Sequence, residues 1–534
     1  MRRRRFLGGT AAGAAALAAV SVPLIGSALR RADGSSPGRV LSSRARLPEP
    51  YQVPLPVPDV LDPVSRGGGT DVYELTQRVA DLEILPGLRT RAWTYGGTFP
   101  GPTVVSRSGR RTQVRHRNEL PQPSVVHLHG GHTPAGSDGY PVDVILPAGG
   151  AISAEQAMRA MTEGMPGHGG HTGHGGHAGI SGVAEAERTY TYPMRQRAAT
   201  LWYHDHRMSW TGLGVWSGLA GFHLVRDDEE DRLPLPRGDR ELPLLITDRA
   251  FEEDGSFRYP LIDPGLGRPG VTDDYMDGVL GDVVLVNGAP WPVHRTDGAR
   301  HRLRLLNGSN ARPYRLEFDP QPPGGDAFVQ IGSDGGLLER PVRHDAVHLG
   351  PGERFDVVVD FARWKPGTRV RLVNTLADGT AHDVMAFDVV RASAADDSRV
   401  PDRLSRVERL DPAEAVTTRD FHFRLGKDGW TINDDGYRPG RALARPKLGQ
   451  LEIWRFTTSL QHPVHVHLNH FQVLSRNHGD PGPYDAGWKD TVDLRPTEAV
   501  EVAIRFTDYA GTYMLHCHNL EHEDMAMMAD FVVE

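Results

Sequence analysis

Cysteine is nearly absent: the chain of 534 residues has one, Cys517. A single thiol forms no internal disulfide, so no disulfide framework holds this protein, and Cys517 is there for chemistry or by accident. An excess of positive charge is also missing. Sixty basic residues face 68 acidic ones, a formal net charge of −8 at pH 7, which gives no reason to expect nucleic acid as a partner. No apolar run beyond the first thirty residues is long enough to span a membrane. Glycine and proline are plentiful, 61 and 41 residues, and Val/Thr-rich runs are short. That mixture reads as all-β domains with many turns. The length is too great for one core, and roughly three domains are expected.

The chain opens Met1-Arg2-Arg3-Arg4-Arg5-Phe6-Leu7-Gly8 and continues apolar to about Ile25. Charge, apolar stretch, then small residues is a signal-peptide layout over residues 1–30. Arginines before Phe-Leu resemble a twin-arginine signal, which predicts export to the cell envelope or medium. An uncleaved anchor is the alternative. The many Gly and Ala residues make the stretch weakly hydrophobic, which favours cleavage and no membrane attachment afterwards. Residues 31–58 are polar and Pro-rich and read as a linker.

One pattern then recurs. Trp93-Thr94-Tyr95-Gly96-Gly97 leads to the strand-like Gln113–Asn118, Leu285-Val286-Asn287-Gly288 to His301–Asn307, and Trp430-Thr431-Ile432-Asn433 to Leu451–Phe456. Three related β-domains are the simplest account, at 59–230, 240–392 and 415–534, with charged or Pro-rich stretches between them. Within the first lies Met158–Gly182, where Met158, Met161, Met165, His168, His171, His174 and His177 stand among glycines. Such a segment builds no core and is either a metal-handling loop or an inert tether.

Histidine clusters carry the chemistry: His127-Leu128-His129, His204-Asp205-His206, His462-Pro463-Val464-His465-Val466-His467, and His516-Cys517-His518 with His522. In a strand, His-x-His puts both imidazoles on one face about 6.6 Å apart along the backbone, able to bind two neighbouring metals or pinch one. An extended His516-Cys517-His518 sends the thiol to one face and both imidazoles to the other. The pairs, with His516 and His518, supply eight imidazoles. His462, Cys517, His522 and Met527 remain, the two His, one Cys and weak axial Met of a blue-copper site. Any one cluster is weak evidence, since a lone His-x-His is more often a satisfied core or surface pair. Four clusters around the sole cysteine are not coincidence. His116, His132, His223, His301 and His478 read as ordinary, and His470 has no role.

The motifs HLHG, WYHDH, HPVHVHLNHF and HCHNLEHEDMAMM resemble those of three-domain multicopper oxidases, in the branch of the bacterial spore-coat laccase, bilirubin oxidase and phenoxazinone synthase. The resemblance runs from about Tyr51 to the end of the sequence. It implies three consecutive cupredoxin-like Greek-key β-barrels and four copper ions. His462, Cys517, His522 and Met527 would bind a type 1 copper, and His127 and His465 a type 2 copper. His129, His204, His206, His467, His516 and His518 would hold a type 3 pair. Asp138 and Glu523 match acidic residues that deliver protons to oxygen, and solvent-facing charge is the plainer reading of each. The implied reaction takes single electrons from phenols, aminophenols or other aromatic amines and reduces dioxygen to water. Two alternatives stand beside it: a metallo-oxidase of cuprous or manganous ions, for which the Met/His insert is the motive, and a non-enzymatic copper-binding electron carrier, which would need only one copper. The insert and the export signal are departures from the shared pattern.

Overall fold

The computed structural model describes residues 37–162, 182–393, 395–427 and 429–534. The signal-like stretch and residues 163–181 of the insert lie outside the described residues.

Strand after strand follows the period-two pattern that puts one face in the core. In Arg111–Glu119, Thr112, Val114, His116 and Asn118 are buried while Arg111, Arg115, Arg117 and Glu119 face water. Six of the sheets fall into three pairs, each drawn from one stretch of chain: 65–226, 241–392 and 418–533. Each stretch mixes parallel with antiparallel neighbours, as where Thr418–Gly426 runs parallel to Leu451–Thr458. The repeated turns share a backbone signature. Gly96 and Gly97, Asn287 and Gly288, and Asn433 and Asp434 all have positive φ, a conformation that Gly and Asn adopt at least cost.

Packing joins the stretches. Phe99, Trp202 and Phe222 of the first share one apolar cluster with Leu244, Leu305 and Phe355 of the second. The third has its own cluster around Trp454, Phe456 and Phe531, and Cys517 and Met527 belong to it. Ala199–Asp205 is buried on both faces, so the strand that carries His204 and leads to His206 sees almost no water.

Two readings need correction. The linker expectation fails from Pro37 on. Arg39–Leu41 pairs in parallel with Val279–Gly281, Leu41 is buried against Trp216 and Val279, and Ser43 bonds to Asp282 through Oγ and N–H. The start of the insert is also not coreless. Ala154–Thr162 is a helix, and Met161 packs with Met208, Met514 and Met528. Its Glu/Gln/Ala/Met content favours helix, and the glycine-rich composition begins only after it.

Candidate metal centre

The sequence spacing decides which way each ligand points. In the strand His462–Val466, residues three apart face opposite ways and residues two apart face the same way. His462 therefore turns to one side of the sheet, and His465, with His467 just beyond the strand, to the other. The next strand obeys the same rule: Val464 pairs with Cys517 and His465 with His516. The thiol joins His462 on one face, and His516 and His518 join His465 and His467 on the other. In the first stretch, Val126–His129 runs antiparallel to Ala199–Asp205 with His127 opposite His204 and His129 opposite Trp202.

The two histidine faces meet. His127 Nε2 lies 3.4 Å from His465 Nε2 across 338 residues of sequence. His206 Nε2 and His467 Nε2 lie 3.3 and 3.2 Å from His516 Nε2. The rings of His127 and His467 stack at 3.9 Å and those of His129 and His465 at 3.7 Å. Ligand atoms of His129, His204 and His518 lie within 4.8 Å of one another, as do those of His206, His467 and His516, and His127 joins His129 and His465 in a third group. All eight are buried.

Six of the eight rings are aimed by an outer nitrogen. His127 Nδ1–H donates to the Asp138 carbonyl at 2.5 Å, His204 Nδ1–H to the Asp205 carbonyl at 2.8 Å and His465 Nδ1–H to the Asp490 carbonyl at 2.9 Å. His467 Nδ1–H donates to Asp138 Oδ2 at 2.7 Å, and His516 Nδ1–H to the Cys517 carbonyl at 3.1 Å. His129 is turned the other way, with Nε2 3.1 Å from Asp490 Oδ1 and Nδ1 inward. An imidazole whose outer N–H is spoken for offers a lone pair inward, the arrangement of a metal-ligating histidine. The inner nitrogens of His129 and His204 and both nitrogens of His518 have no protein partner. Burial pushes these rings toward the neutral, ligating form, His204 to about 3 and His206 to about 4.

On the opposite face, Cys517 Sγ lies 3.4 Å from His462 Nδ1 and 3.6 Å from His522 Nδ1, and the two nitrogens are 3.1 Å apart. The Asn519 N–H points at Sγ from 3.4 Å. Met527 is buried in the same cluster as the thiol, whereas Met528 packs on the other face with Met514 and Met525 is only partly buried. Cys517 N–H donates to the Met527 carbonyl and Met527 N–H to the His522 carbonyl, at 3.1 and 3.0 Å. These bonds keep Met527 beside the thiol. Trp430 covers His522 with ring centroids 3.9 Å apart. A soft thiolate with two imidazoles in a dry pocket suits copper, and so does the all-imidazole face.

Two carboxyls flank the histidine face, and neither faces water, so the solvent-facing reading fails for both. Glu523 Oε2 stands 3.1 Å from His516 Nδ1 and Oε1 3.8 Å from His206 Nε2. Neither contact is an aligned hydrogen bond, because His516 donates to the Cys517 carbonyl. Burial would raise the Glu523 carboxyl, but the charges of His516 and His206 hold it below the usual range. Burial raises Asp138 well above that range. The site thus pairs a carboxyl that keeps its proton with one that gives it up.

Two sequence profiles described as multicopper oxidase match residues 78–159 with 167–230, and residues 405–534. A laccase of Bacillus subtilis is 33% identical over 89% of this chain and 96% of its own length. The chain belongs to the multicopper oxidase family. The bilirubin oxidase of Albifimbria verrucaria is 31% identical over 90% of this chain and 81% of its own. Among solved structures, a laccase from Pediococcus acidilactici superposes with a TM-score of 0.77 at 30% identity, covering 92% of this chain and 96% of that one. This multicopper oxidase therefore has a cupredoxin-like all-β fold, and it is a laccase-like oxidoreductase that uses copper and passes electrons from a reducing substrate to oxygen.

Sequence reasoning missed the charges behind the histidines of this oxidase. Asp490 touches His129 and His465 and is clamped by Arg354. His470, which had no role, lies 3.5 Å from the same carboxylate. Lys489 sits between Asp334 and Glu353, 3.1 Å from each. A run of Lys489-Asp490-Thr491 at the start of a buried strand was the available signal, since charge is rarely buried unless paired.

Proposed function

We propose that His462, Cys517, His522 and Met527 hold a type 1 copper, and that His127 and His465 hold a type 2 copper. His129, His204 and His518 would hold one ion of a type 3 pair, and His206, His467 and His516 the other. The supporting observation is the set of inward imidazole nitrogens without protein hydrogen-bond partners, beside a thiol flanked by two more imidazoles. When bound, the coppers supply one-electron acceptance from the substrate and four-electron reduction of oxygen to water. The chain's own residues do the rest. Cys517 is covalently continuous with His516 and His518, so the thiol site and both halves of the histidine site share three consecutive residues. Asp138 holds a proton against His467, and Glu523 stands ready to carry one past His516.

Only an electron must leave the substrate, so a tightly shaped substrate pocket is unnecessary, and phenols, aminophenols and other aromatic amines are the favoured class. The names of the laccase and bilirubin oxidase relatives support this. Cuprous-ion oxidation remains the second reading, resting on the Met/His stretch. Residues 1–30 would be an export signal that leaves the enzyme outside the cytoplasm, and 59–230, 240–392 and 415–534 would be its three domains.

Copper analysis, a visible spectrum and oxygen uptake test the assignment. The purified protein is expected to carry four coppers and an intense blue band. Cys517→Ser should abolish the band and the oxygen uptake while retaining the histidine-bound coppers. A blue Cys517→Ser variant would refute the ligand set, and faster oxygen uptake with cuprous ion than with any phenol would reverse the substrate order.

A further inference from the structure

A cavity of about 270 Å³ lies between the helix Ala154–Thr162 and Trp210, and twelve of the described residues line it. Two of them are arginines, Arg159 and Arg207, and none is acidic. Arg207 is 3% exposed, and a guanidinium keeps its charge at any ordinary pH. It stacks over Trp210, 4.5 Å from the ring centroid. Among the described residues its hydrogen bond is one long contact, 3.3 Å from Nη1 to Gln122 Oε1, and Nε and Nη2 have no partner. Asp205 and Asp524 act on it through space, and neither makes a hydrogen bond to the guanidinium. Asp205 accepts from the Val125 N–H, and Asp524 from the N–H groups of Thr211 and Gly212. Trp210 Nε1–H, on the same wall, also lacks an acceptor.

A buried cation without a hydrogen-bonded counter-charge is costly, because the interior does not replace the water it lost. Here it borders a space large enough for a small molecule. The remaining wall is mostly apolar, with Ile152, Ala157, Ala160 and Leu266. We propose that this cavity binds a small aromatic carboxylate, its ring against the apolar wall and its carboxylate on the Arg207 guanidinium. Gln122, half-buried, would yield its place on Nη1, since a charge-assisted bond replaces a long neutral one. The site is separate from the thiol face. Arg207 directly follows His206, so an occupied cavity would put a negative charge one residue from the histidine face.

Calorimetric titration of the copper-loaded protein with sodium benzoate, against benzamide and sodium acetate, tests this. Benzoate is expected to bind one to one, and benzamide, of the same shape but uncharged, about tenfold more weakly or worse. Acetate should also bind more weakly, lacking the ring. Arg207→Gln should bring benzoate down to the affinity of benzamide. Ala160→Trp places a large ring on the cavity wall and leaves Arg207 in the chain, and it should abolish binding with copper content unchanged. That variant keeps the test decisive if Arg207→Gln fails to fold. Equal affinity for benzoate and benzamide, absence of binding heat, or undiminished binding by Ala160→Trp would each overturn the proposal.

Discussion

Arg354 grips Asp490 through two parallel bonds, Nη1 to Oδ1 at 2.6 Å and Nη2 to Oδ2 at 2.5 Å. The arginine comes from the middle pair of sheets and the carboxylate from the third, and both are buried. Burial would raise the Asp490 carboxyl, yet Arg354 and His129 hold it well below its usual range. The same carboxylate meets His129, and its own backbone carbonyl accepts from His465. An ion pair thereby sets the aim of two of the clustered histidines.

Arg354→Gln should expose that dependence. Breaking a buried pair leaves an uncompensated charge, at a cost of about 3–5 kcal/mol. The urea midpoint should fall, and copper per protein should fall with it, because loss of a partner behind the ligands weakens metal binding by roughly 10–100-fold. Unchanged copper stoichiometry under limiting copper would show that Asp490 is held by other means.

Met527→Leu should raise the potential of the blue site, since removing a weak axial donor favours the reduced ion. Met528→Leu should leave the potential alone, because Met528 packs with Met514 on the other face. Redox titration of the blue band distinguishes them, and a shift in Met528→Leu or Met525→Leu instead would move the register.

Glu523→Gln keeps the volume and removes the carboxyl that we propose carries protons beside His516. Anaerobic bleaching by a phenol should proceed as before, and reoxidation by oxygen should slow by about 10²-fold or more, the usual reach of a general acid. Stopped-flow absorbance separates the two half-reactions, and equal loss in both would deny Glu523 a specific role with oxygen.

How far the sequence revealed this site can be read residue by residue. Every expected ligand histidine, Cys517 and Met527 lie on the two faces described, because period two is a local rule and His-x-His, His-x-x-His and His-Cys-His obey it without help from the fold. The all-β architecture was equally legible from glycines, prolines and short Val/Thr runs. Arg354, Asp334 and Asp490 were not, since they meet only after the second and third stretches pack, and nothing local marks their pairing. The strap at 39–41 was missed for a related reason: its partner strand lies some 240 residues on, and its polar, Pro-rich surroundings look like linker. Met161 was misread because composition was averaged across a helix and the glycine-rich stretch after it.

Asp530 offers a test by pH. Tyr140 and Tyr437 donate to its carboxylate at 2.9 and 3.1 Å, yet burial raises it from an ordinary 3.8 to about 6. Between those values the folded chain holds a proton that the unfolded chain has lost, so this group's contribution to stability falls as pH rises through the window. The difference in unfolding free energy between the native protein and Asp530→Asn should shift by about 3 kcal/mol between pH 3.5 and pH 7, in the direction that favours Asn at the higher pH. A pH-independent difference would mean that the two tyrosines stabilise the charged form fully.

The 3.4 Å meeting of His127 and His465 also governs when the enzyme can come into being. At synthesis rates of roughly 5–20 residues per second, the ribosome needs about 20–80 s to travel from His127 to His516. Throughout that interval the first histidine pair exists without its counterparts, and a nascent chain has no complete site to fill. The complete histidine face therefore cannot form, or be filled, until the chain through His518 has been made.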